Sequence, residues 1–81
     1  MTEETRINVV KILKQRSEES KVSVRNVRRD AQENIRKSER EGDFSEDESR
    51  RAMAELQRIT DQAIKTIDDQ AIIKEKEIMQ V

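Results

Sequence analysis

Apolar residues recur along this chain at alternating steps of three and four, in two long stretches separated by one interruption. In the first stretch Val10, Leu13, Ser17, Ser20, Val24, Val27 and Ala31 keep the 3-4 spacing, and Ile35 continues the stripe nearby. Residues so spaced share one side of an α-helix. In the second stretch Met53, Leu56, Ile59, Ala63, Ile64, Ile67, Ala71 and Ile78 form a broader stripe than one neighbouring helix covers. The pattern predicts two amphipathic helices, the second with room for two partners. Ser17 and Ser20 place small side chains in the first stripe, which either admit a partner helix closely or only weaken the seam.

The interruption reads Glu41-Gly42-Asp43-Phe44-Ser45-Glu46-Asp47-Glu48. Gly42 suits the left-handed backbone position just past a helix end, and Ser45 with Glu48 three residues later is a capping box that opens the next helix. Thr2 can cap the first helix in the same way, with Glu3 and Glu4 well placed against its dipole. Helices are expected over about residues 3–41 and 46–80, joined by a turn at about 42–45, each on the order of 50 to 60 Å long at 1.5 Å per residue. Nothing else divides the chain, so residues 1–81 are read as a single helical hairpin. So short a chain rarely holds a core large enough for stability alone. The fold class is therefore all-α, a long antiparallel two-helix hairpin completed by self-association or by a separate helix.

Composition narrows the chemistry. Only 32% of the 81 residues are apolar and 43% are charged, with one aromatic residue, Phe44, one glycine, and no proline, cysteine or histidine. Without cysteine there is neither a disulfide nor a thiolate metal site, and without histidine the usual acid-base catalyst and metal ligand is missing. An enzyme is not expected, and neither is a cofactor. The acidic run Asp43, Glu46, Asp47 and Glu48 lacks the spaced ligands of a calcium loop, so capping and dipole roles are assigned to it and no metal is expected. Asp68, Asp69, Glu75 and Glu77 are read as solvated helix positions, Phe44 as an apolar anchor for the turn, and Met53 and Met79 as packing residues. No apolar run approaches the roughly 20 residues needed to cross a bilayer, and a soluble, cytoplasmic chain without a membrane partner is expected.

A net charge of −1 gives no overall attraction to nucleic acid, so any such binding must come from local segregation of charge. Val24 to Ala31 read V-R-N-V-R-R-D-A, with Arg25, Arg28 and Arg29 at three- and four-residue spacings along one edge of the first helix. Counting 100° per residue, Lys14, Lys21, Arg25, Arg28, Gln32 and Arg36 form a strip about a quarter turn from the apolar seam, with Arg29 at its outer edge. Glu18, Glu19, Asp30 and Glu33 fall mostly elsewhere. The strip is a binding surface or an ordinary solvated face, and sequence physics leaves both open. Arginine suits bidentate phosphate contact. With a single aromatic residue, stacking on unpaired bases is excluded, so a nucleic-acid target would be structured and read through phosphates and shape.

Four blocks in order carry a family resemblance: V-R-N-V-R-R-D-A at 24–31, F-S-E-D-E at 44–48, L-Q-R-I-T-D at 56–61 and K-E-K-E-I-M-Q-V at 74–81. Together they resemble the C-terminal part of ribosome recycling factor, over nearly the whole chain. The resemblance implies an L-shaped parent fold, a three-helix bundle joined by two hinges to a small β domain, of which this chain lacks the first bundle helix and the β domain. Met1 stands where a hinge would deliver the chain. The resemblance also implies binding to large-subunit rRNA after termination, and subunit splitting together with elongation factor G and GTP. Arg28 matches the family's most function-sensitive arginine, and Arg25 and Arg29 its neighbours; Lys21 and Arg36 extend the candidate RNA-binding set along the strip. The expected partners are large-subunit rRNA, elongation factor G in function, and a second copy or complementing helix. Binding without subunit splitting is the expectation for this chain. The competing reading is a structural hairpin that homodimerises into a four-helix bundle without binding RNA.

Overall fold

A computed structural model describes residues 2–80. Met1, at the expected hinge, and Val81, the last residue of the fourth block, lie outside the described residues. The chain forms two helices, α1 (Glu3–Arg40) and α2 (Glu46–Met79), antiparallel in a hairpin measuring 60 × 15 × 9 Å, and no strand occurs among the described residues.

Local chemistry explains where each helix starts and stops. Thr2 accepts a hydrogen bond from the Thr5 amide at 3.1 Å, satisfying one of the free donors of the first turn of α1. At the other end Gly42 takes φ +83°, its amide donates to the Glu39 carbonyl at 3.1 Å, and the Asp43 amide donates to Ser38 at 2.9 Å. This paired closure is a Schellman turn, and its left-handed residue favours glycine because a Cβ there crowds the backbone. Ser45 then opens α2 with a reciprocal capping box. Its hydroxyl accepts from the Glu48 amide at 3.1 Å, and the Glu48 carboxylate accepts from the Ser45 amide at 3.1 Å. Those donors favour the ionised form and hold the Glu48 carboxyl below its ordinary value.

The two helices meet along one thin seam. Val10 is the only buried apolar residue among those described. Leu13, Val24, Ala31 and Ile35 on α1, with Met53, Leu56, Ala63, Ile64, Ile67, Ala71 and Ile78 on α2, are half-buried. Thr60 is buried with its hydroxyl satisfied, donating to the Leu56 carbonyl at 2.7 Å, and Ser17 and Ser20 likewise donate to the carbonyls of Leu13 and Arg16. The serines' polar groups are thus satisfied within their own helix.

The seam differs from the sequence expectation in its rotation. Val27, expected within the stripe, is 66% exposed, and Ser20 and Ile59 are exposed as well. A strict seven-residue repeat drifts by about 20° per heptad around a straight helix, so Leu13, Ser20 and Val27 turn progressively out of the contact. In their place Lys21, Arg25, Arg28 and Gln32, expected a quarter turn away, lie half-buried, Lys21 bonded to Asp68 and Arg28 beside Leu56 and Thr60 of α2. Long cationic side chains can lay their stems on an apolar neighbour while the heads reach its edge.

Candidate nucleic-acid interface

The rotation gives the hairpin two unlike sides. One is an apolar groove, lined toward the turn by Ser23, Val24, Val27, Arg28, Ile59 and Ala63, and continuing past Arg16, Ser20, Thr66 and Gln70. The opposite side carries the ion pairs between the helices. Lys14 faces Glu75 at 3.8 Å, and Lys21 meets Asp68 at 2.9 Å and Glu18 at 2.8 Å. The Lys21 side chain is 14% exposed. Its hydrogen bond to Asp68, followed by that to Glu18, pushes the ammonium pKa above its ordinary value. Asp68 and Glu75 are therefore tertiary partners and not the free solvated positions expected from the sequence.

The candidate RNA-binding residues fall into two groups. Lys21 is engaged as described, and Arg36 lies 3.9 Å from Glu33, which also pairs with Arg40 at 3.5 Å. Between them, Arg25, Arg28 and Arg29 have no carboxylate partner among the described residues. Arg29 donates to the Asn26 side-chain oxygen at 3.2 Å, a neutral contact that leaves its charge unopposed. Arg25 sits one helical turn beyond Lys21 on the ion-pair side and is half-buried, whereas Arg29, a further turn on, is exposed. Arg28 is placed differently. It lines the groove beside Leu56 and Thr60, with its Nε enclosed and unpartnered. The single arginine edge expected from the helical count is thus divided, with Arg25 and Arg29 on one side and Arg28 reaching through the seam.

Helical counting located the arginines but could not say which cations α2 would neutralise. A usable signal existed: stepping equal distances back from the turn brings Lys21 to within one helical turn of Asp68. Chemically, the cluster is a short run of fixed positive charge in guanidinium form, with donors suited to phosphate oxygens. Among the described residues no group of three acidic side chains is arranged to hold a metal ion. No helix among the described residues is long and apolar enough to cross a membrane.

Two long arms of similar length, a thin seam, an apolar groove and a run of unopposed arginines define an elongated all-helical hairpin. The sequence model of one family, ribosome recycling factor, matches residues 1–79. The ribosome-recycling factor of Symbiobacterium thermophilum is 52% identical over all 81 residues, and that of Bacillus subtilis 48%; in each case the chain covers 44% of the relative. The corresponding protein of Natranaerobius thermophilus is 53% identical over 78 residues, 96% of this chain and 42% of the relative. The chain belongs to the ribosome recycling factor family, a family of translation factors and not a class of enzymes. It spans less than half the length of these relatives.

Proposed function

We propose that this chain is a ribosome-binding helical segment serving post-termination recycling in the cytoplasm, and that Arg25, Arg28 and Arg29 bring it to the rRNA of the large subunit. The observation that carries the proposal is the pattern of neutralisation along α1. Lys21 and Arg36 are held by carboxylates of the same chain, and the three arginines between them are not. Unopposed guanidinium groups are free to replace counterions on RNA phosphates, which is the main source of affinity for a polyanion. Lys21 and Arg36 extend the contact, each sharing its charge with an acid already in place. The near absence of aromatic residues favours structured rRNA over unpaired bases.

Subunit splitting with elongation factor G belongs, in this proposal, to the longer family member. The 81 residues supply the rRNA contact, and the β domain on which the elongation factor acts is not among them. Binding without splitting follows for the chain as it stands, with no catalytic group and no cofactor involved.

The test is co-sedimentation of the purified chain with large ribosomal subunits across a salt series, for the wild type, Arg25→Ala, Arg28→Ala and Arg29→Ala. Saturable binding is expected to weaken with salt, and each substitution to reduce the log-log salt slope by about one. Arg29 is exposed and its replacement leaves packing intact, so its result separates lost phosphate contact from lost fold. Binding indifferent to all three arginines, or no binding at low salt, would overturn the proposal.

A further inference from the structure

We infer that Arg28 and Asp61 are the third rung of a ladder of ion pairs between the helices, and that Asp61 competes with RNA phosphate for the Arg28 guanidinium. Asp61 thereby sets how tightly the arginine cluster holds a polyanion. This role rests on the rRNA contact proposed for Arg28 and adds to it a residue of α2 that governs its strength.

The two rungs already described repeat with a fixed step. Lys14 pairs with Glu75 and Lys21 with Asp68, so seven residues forward on α1 correspond to seven residues back on α2. One further step reaches Arg28 and Asp61, again opposite in sign and level with each other, about 10 Å beyond Lys21 at 1.5 Å per residue. In this structure that rung is open. Arg28 has no carboxylate partner among the described residues, and its enclosed Nε has no acceptor. Asp61 accepts from the neutral Gln57 amide at 2.8 Å. The cations nearest to it along α2, Arg58 and Lys65, are taken by Glu55 and Asp69. Each side of the rung therefore carries a full charge with no opposite charge against it.

The seven-residue step itself explains why the rung stands open, because it falls short of two full turns by about 20°. On α1 the drift turns each successive cation inward, from exposed Lys14 to half-buried Lys21 and Arg28. On the antiparallel α2 it turns each successive acid outward, from half-buried Glu75 and Asp68 to exposed Asp61. Arg28 thus enters the seam while Asp61 moves to its rim, a gap that a long, flexible arginine side chain can span. Closing the rung exchanges a weak neutral contact of Asp61 for a charge-assisted pair, and gives the guanidinium the acceptor that its Nε lacks. Phosphate offers a guanidinium the same bidentate geometry as a carboxylate, so the two anions exclude one another. The open form is the one competent to take phosphate, and the closed fraction lowers the apparent affinity in proportion. Arg25 and Arg29 have no such competitor, since the α2 residues level with them are Ile64 and Thr60.

Co-sedimentation with large ribosomal subunits at one low salt concentration, and urea unfolding of the chain without RNA, test this on wild type, Arg28→Met, Asp61→Asn and the double variant. Asparagine keeps the shape of the exposed Asp61 side chain, so the change is one of charge. Asp61→Asn is expected to tighten subunit binding about two- to fivefold, the range that an exposed ion pair can withhold. In the Arg28→Met background the same change should leave affinity unaltered, because the competitor has lost its object. Without RNA, the double variant should lose less in urea midpoint than the two single effects summed. An Asp61→Asn variant that binds no tighter than wild type overturns the inference. So does a gain that persists without Arg28, which is the general effect of removing a negative charge, and so does strict additivity in unfolding. A wild type that binds no subunits refutes the rRNA reading instead, and the unfolding cycle then decides on the rung by itself.

Discussion

Replacing Gly42 by alanine isolates the contribution of one backbone conformation. At φ +83° the residue is left-handed, and a Cβ built there meets no atom within 4 Å, so the substitution introduces no clash with the rest of the hairpin. Its cost is therefore local. Placing an L-residue in left-handed backbone costs about 1–2 kcal/mol. Against this, alanine restricts the unfolded chain and offsets about 0.4–1 kcal/mol. The net expectation is a loss on the order of 1 kcal/mol, which corresponds to roughly 4–8 °C in Tm for a domain of this size. With a urea slope of about 1–2 kcal/mol per molar, the midpoint should fall by about 0.5–1 M. Gly42→Asn should lose less, because asparagine visits the left-handed region more readily. The assay is urea unfolding followed by far-ultraviolet circular dichroism at one fixed protein concentration, since any association would itself shift the midpoint. An alanine variant as stable as the wild type, or an asparagine variant less stable than the alanine one, would refute the account of the turn.

Two further outcomes follow from the charge chemistry. The lowered pKa of Glu48 means that its contribution is fully present above the ordinary value of 4.5 and is lost as pH falls through the lower folded-state value. The difference in urea midpoint between wild type and Glu48→Gln should accordingly be constant near neutrality and shrink in acid; a difference independent of pH would remove the ionised cap from the account. The raised pKa of Lys21 has the opposite sign, its contribution being complete below 10.5 and lost as pH rises through the folded-state value. In a double-mutant cycle at pH 7, Lys21→Met and Asp68→Ala together should cost less than the two effects summed; strict additivity would show that the contact does not couple the helices.

The parts of this fold that could be read from sequence are those decided by a few neighbouring residues. Thr2, Gly42 and the Ser45 and Glu48 pair act through bonds spanning three to five positions, and the helix ends follow from them. The rotation of one helix on the other was not legible, because the small drift of a heptad stripe and the reach of Lys21 to Asp68 are settled only when both helices are in place. The candidate site shows the same limit. Its arginines stood out as a run, but their division depends on acids 3 to 47 residues away and on the seam that encloses Arg28 Nε. Val27 and Ile59 carry the converse lesson, since an apolar residue in a regular stripe still stays exposed when no neighbour lies opposite it.

The antiparallel course of the hairpin also makes its resistance to force directional. Both helix ends, at Glu3 and Met79, lie at the same end of a body 60 Å long, with the Gly42 turn at the other. Tension that draws those two ends apart loads the contacts one at a time, Val10 first, then the Lys14 to Glu75 and Lys21 to Asp68 pairs, as a zip opens from its free end. Tension between the turn and either end runs along the helices and loads the whole seam together in shear. The same set of contacts is therefore compliant to one pull and stiff to the other, and the stiff direction is the long axis of the molecule.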